Sequence, residues 1–69
     1  MVMKKDWCNI RVSIPWRDYS HFRDTRLWLI NTIDERDWDF DGIDDNNLEN
    51  RIYYFARQKD AMMFTLIWS

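Results

Sequence analysis

Four residue types that carry much of protein chemistry are almost missing from this chain. It has one Cys, one Gly, one Pro and one His among 69 residues. A single thiol, Cys8, excludes an intramolecular disulfide and fits a reducing compartment. One His and one Cys fall short of the donor set that a structural zinc needs. A single Gly leaves no Gly-rich loop to cradle a phosphate, so nucleotide hydrolysis is not indicated. His21 has Asp18 and Asp24 nearby in sequence, but no Ser or Cys stands at a spacing that builds a nucleophile and its base. The expectation is a protein that is not an enzyme and that holds neither cofactor nor metal.

Long apolar runs are missing too. No segment approaches the roughly 20 apolar residues that cross a bilayer. Met1-Val2-Met3-Lys4-Lys5-Asp6 lacks the apolar stretch of a signal peptide. These features predict a cytoplasmic protein with no membrane partner, built as a single small domain over residues 1–69 with a flexible lead at 1–5.

Aromatic residues, by contrast, are abundant: five Trp, three Tyr and four Phe. Large rings give a small domain much buried area per side chain. A chain this short buries only about 60% of its unfolded surface, so some rings are expected at the surface or in an oligomer contact. The net charge of −2 is unevenly spread. From Asp34 to Glu49, eight acids face one base, Arg36, for a net −7; the remaining nine bases and four acids give +5. This pattern predicts an acidic edge on a mildly basic body, too weak in charge to argue for nucleic acid.

Periodicity supplies the elements. Residues 7–14 alternate, with Cys8, Ile10, Val12 and Ile14 on one face and Trp7, Asn9, Arg11 and Ser13 on the other, as in a half-buried strand. Cys8 on the apolar face acts as a small hydrophobe. Pro15 ends the strand, because it has no N–H to give. Helical spacing of Tyr19, Phe22, Arg26, Leu29, Ile30 and Ile33 predicts a helix over about 18–33, with Asp18 or Ser20 as N-cap. Residues 37–41 alternate again and read as a strand ending at Gly42. A loop of Asp and Asn follows at 44–47, then a strand over 51–57. Residues 59–68 suit a helix capped by Asp60, although Phe64 to Trp68 also reads as a strand by periodicity. The order β-α-β-β-α resembles a ferredoxin-like split unit, an α+β fold with a small antiparallel sheet and helices on one face.

Two surfaces stand out. The outer sheet face carries Trp7 and Arg11, with either Tyr53 and Phe55 or Ile52 and Tyr54 from the third strand. Trp7, Arg11, Tyr53 and Phe55 are the expected contact residues, because aromatics and Arg dominate interface hot spots. Met63 and Trp68 in the apolar C-terminal segment are expected to support an interface. The alternation Asp37, Asp39, Asp41 before Gly42 looks like the opening of a calcium loop, but its twelfth position is Leu48 rather than an acid. An edge strand with its aspartates in solvent explains the same pattern.

The stretch 7–14, His21-Phe22 ahead of Leu27-Trp28-Leu29, and Tyr53-Tyr54-Phe55 followed by residues 60–69 together resemble short proteins of tailed-phage genomes. Many of those end in an aromatic strand and an Asp-Ala-x-x-Phe-x-Leu-x-Trp segment, here Asp60 to Trp68. The resemblance implies a phage origin and an accessory role, such as neutralising a host defence, and carries no functional residues across. The leading expectation is a small binding protein that acts stoichiometrically on a host protein, in the host cytosol, as a homo-oligomer. The alternative is a homo-oligomeric sponge for a nucleotide-type ligand, with Arg11, Arg51 and Arg57 on its phosphates.

Overall fold

A computed structural model describes residues 6–69; the expected flexible lead at 1–5 lies outside the described residues. Among them are strand β1 (Ile10–Pro15), helix α1 (Tyr19–Thr32), a 3-10 turn (Glu35–Asp37), strands β2 (Trp38–Asp44) and β3 (Asn47–Phe55), and helix α2 (Gln58–Trp68). The strands form one antiparallel sheet in the order β1-β3-β2. The α+β class and the β-α-β-β-α order are those that the alternation and helical spacing predict. The C-terminal segment is a helix.

Local chemistry sets most boundaries. Asp18 caps α1 by accepting the His21 N–H at 2.8 Å. Thr25, Leu29 and Ile33 follow one another at four-residue spacing and are buried, and the Thr25 hydroxyl is satisfied by the His21 carbonyl at 2.8 Å. The loop after α1 folds into the 3-10 turn because Asp34 accepts the Arg36 N–H. The expected cap of α2 is corrected. Arg57 occupies the N-cap without a side-chain bond, and Asp60 lies in the first turn, where its charge favours the helix dipole.

The hairpin departs further from expectation. β2 runs on through Gly42 to Asp44, and β3 starts at Asn47, so the loop shrinks to Asp45 and Asn46. Asp44 makes this possible by accepting the Asn46 N–H at 2.9 Å, a side-chain turn that stands in for backbone pairing. The register shifts between Phe40 and Gly42, and Gly42 has φ 101°. A Cβ there would meet nothing within 4 Å, so the backbone conformation rather than space calls for glycine.

The core lies between one sheet face and both helices. Ile14, Tyr53 and Phe55 from the sheet meet Leu29 of α1, Ile33 at its C-cap, and Ala61 and Phe64 of α2. Phe64 is its hub, with ring centroids 4.9 Å from Tyr53, 5.0 Å from Phe55 and 6.0 Å from Trp28. Such tilted pairs add about 0.5–1.5 kcal/mol each beyond their area.

Candidate functional site

The register fixes which side chains share each face. Ile10, Val12 and Ile14 lie opposite Phe55, Tyr53 and Arg51, and Trp38 and Phe40 lie opposite Phe55 and Tyr53. These all belong to the helix side. Arg11 and Ser13, opposite Tyr54 and Ile52, belong to the open face. The expectation that Tyr53 and Phe55 sit on the outer face is therefore corrected. Both are fully buried, and by register Ile52 and Tyr54 take the positions on the face away from the helices, where Ile52 is itself buried. Trp7 is exposed, but it lies ahead of β1 and donates its indole N–H to the Arg36 carbonyl, away from a shared stacking face with Tyr53 and Phe55. Trp68 is half-buried against His21 and Trp28, and Met63 is likewise half-buried.

A polar cluster that the sequence reading missed occupies the open face. Asp44 is only 5% exposed, and it receives the Arg11 guanidinium at 3.1 Å and the Ser13 hydroxyl at 2.9 Å. Asn50 in turn donates to the Ser13 oxygen at 2.9 Å. The Asn46 N–H, the Ser13 hydroxyl, the Arg11 charge and the Asn47 N–H hold the Asp44 carboxyl below its ordinary range, against the desolvation that pushes it up. This cluster ties β1 to the far hairpin across the central strand. Its signal in the sequence is faint: a Ser in an alternating strand, and an Asp before Asp-Asn-Asn that reads as loop.

The arginines assigned to a nucleotide do not share a face. Arg11 pairs with Asp44 on the open side, Arg51 lies on the helix side with its guanidinium 4.6 Å from the Trp16 ring centroid, and Arg57 reaches Asp37 at 3.6 Å. Two aspartates of the calcium-like stretch are also separately engaged. Asp37 meets Arg57, and Asp39 accepts the Phe40 N–H at 2.9 Å. No group of three His, Cys, Asp or Glu side chains that could hold an ion occurs among the described residues. No helix there is long and apolar enough to cross a membrane.

The two sheet edges complete the surface. Trp16 N–H donates to the Glu49 carbonyl, in line with the β1–β3 register, so Ile10, Val12 and Ile14 turn their backbone groups to β3. Arg11, Ser13 and Pro15 then turn theirs outward, and the missing N–H of Pro15 costs the ladder nothing. Among the described residues this outer edge is unpaired. Beside it runs an apolar groove of about 370 Å³, with Ile10 and Val12 on one wall and Ala61, Met62 and Leu66 of α2 on the other. Leu66 is 84% and Met62 56% exposed. On the other edge, Ala56 N–H donates to the Asp37 carbonyl, so Phe40 turns its N–H outward, and Asp39 already occupies it. A larger concavity of about 540 Å³ lies there between α1 and β2, with Arg26, Ile30 and Trp38 inside a rim that includes Asp34, Glu35 and Asp39.

Compared with known proteins, the chain matches no family model, no curated protein and no solved structure.

Proposed function

We propose that this protein works by binding another polypeptide rather than by catalysis, with the β1 edge and the exposed flank of α2 as its contact surface. One observation carries the reading: an edge strand whose outward backbone groups are unpaired among the described residues runs beside exposed Met62 and Leu66. Main-chain bonds along such an edge supply affinity, and the apolar flank supplies specificity. The polar cluster behind the edge, through Arg11, Ser13 and Asp44, keeps β1 in place without drawing on its outward N–H groups. The resemblance to short tailed-phage proteins supports a phage origin, action in the host cytosol and a counter-defence role, with a host protein, a second copy of the chain, or both as the polypeptides bound.

A photo-reactive residue tests this surface directly. Placed at Leu66 in protein expressed in bacterial cells, it is expected to form a covalent polypeptide adduct. Placed at Leu48, also exposed, on the β3 hairpin, it is expected to form none. Equal adducts at both positions, or none at either, would count against the assignment.

A further inference from the structure

We infer that the occupant of the β1 edge is a second copy of this chain, paired antiparallel about a two-fold axis at Val12; this rests on the reading of β1 as a contact edge. Five axes, at residues 11 to 15, pair the outward residues of β1 with those of its copy, and charge and the imide of Pro15 separate them. An axis at Arg11 sets two guanidinium side chains directly opposite one another, which is unfavourable in a ladder. Axes at Ser13, Ile14 or Pro15 bring Pro15 opposite the partner's Arg11, the partner's Ser13 or the partner's Pro15, and the missing N–H then breaks the ladder at or next to its centre. With the axis at Val12, Arg11 exchanges both backbone bonds with the partner's Ser13, and Ser13 with the partner's Arg11. Pro15 falls at the end of the ladder.

The same register is complementary in charge and in apolar surface. Residues 9–15 hold one charged side chain, Arg11, so no like charges meet. Arg11 lies opposite the partner's Ser13, whose hydroxyl is already bonded to a carboxylate in each copy. Each guanidinium therefore approaches an Asp44 from both chains. On the helix side the axis sets Val12 against its own copy and Ile10 against the partner's Ile14. Met62 and Leu66, one helical turn apart on α2, close over the junction. The outcome is a continuous six-stranded sheet with the guarded β2 edges at its two ends, a closed two-fold assembly that does not propagate.

Cysteine cross-linking with sedimentation analysis tests the register. Val12 and its copy form a non-hydrogen-bonded pair with Cα atoms roughly 4.5 Å apart, within disulfide reach. Val12→Cys is expected to give a disulfide-linked dimer under mild oxidation, whereas wild type, whose Cys8 is buried, gives none. Ile10→Cys is expected to stay unlinked, because its copies lie four residues apart, roughly 13 Å. Met62→Lys with Leu66→Lys, at exposed positions that spare the fold, is expected to weaken dimerisation by roughly tenfold or more. Wild type that sediments as a monomer up to high concentration, with no Val12→Cys link, overturns self-pairing; a Leu66 adduct to a foreign polypeptide would then still uphold the binding reading. A dimer linked through Ile10→Cys and not Val12→Cys overturns the register. A dimer linked by neither, and indifferent to the α2 substitutions, overturns both this inference and the assignment of β1 as the contact.

Discussion

The two edges of the sheet belong to one domain and treat a passing strand in opposite ways. β2 carries Asp39 and Asp41, is bent by a register shift at Gly42, and has its outward Phe40 N–H already bonded by Asp39. Charge, bulge and an occupied donor are three separate ways to refuse a strand. Along its middle β1 has neither the bulge nor the occupied donor. Its one charge, Arg11, is held on the open face by Asp44, its backbone is regular, and its only obstacle is Pro15 at the last position. The chain guards one edge and leaves the other, beside exposed Met62 and Leu66, open to a strand.

The largest expected effect removes the contrast altogether. Phe64→Ala takes away the ring that seats α2 on Tyr53 and Phe55, and should cost about 3–5 kcal/mol, measured by urea denaturation. In a domain of this size that loss approaches the whole stability. Next, Asp39→Ala with Asp41→Ala unguards β2 and leaves Phe40 N–H free. Association should then continue past the dimer, read as growth in light scattering with concentration. Unchanged scattering would mean that the carboxylates do not protect this edge.

Asp44→Asn sharpens the comparison from the other side by loosening what holds β1 in place. The Asp44 carboxyl titrates below its ordinary value of 3.8 in the folded state, chiefly through the Asn46 N–H and then Ser13 and Arg11. Because the folded value is depressed, the stabilisation is complete above that ordinary value and is lost as pH falls through the folded one. The variant should be less stable at pH 7 and should show a flatter loss of stability below about pH 4. The smallest effect belongs to the central strand. The Tyr53 hydroxyl is buried with no hydrogen-bond partner among the described residues, and burial pushes its pKa up to about 12. Tyr53→Phe should be neutral or slightly stabilising near pH 7. Wild type should lose stability as pH rises from about 10 toward 12, since the folded state resists ionisation, and the variant should lose less.

Much of the fold was legible because it is written in period. Strict alternation located β1 and the first half of β2, and Asp18 marked the start of α1. What was not legible turns on choices that periodicity leaves degenerate. Residues 52–55, Ile-Tyr-Tyr-Phe, are apolar at every position, so alternation cannot say which pair faces the helices; packing against Phe64 decides for Tyr53 and Phe55. The Asp-Asn run reads as a loop, yet Asp44 closes a two-residue turn and reaches the β1 side of the sheet as a buried acceptor. Distance in sequence hid that cluster, since Ser13 and Asp44 are 31 residues apart. The proposed contact edge draws on a residue the sequence also singles out, Arg11, but through its backbone N–H rather than its side chain.

Amide exchange at Arg11 and Ser13, followed residue by residue by NMR as protein concentration rises, tests the central claim most directly. If β1 is the contact edge and a second copy fills it, both amides slow together as the dimer forms, while Val12, already bonded to β3, changes little. If both amides keep exchanging fast in a protein that has demonstrably associated, with itself or with a partner, the edge is not the contact and the account fails.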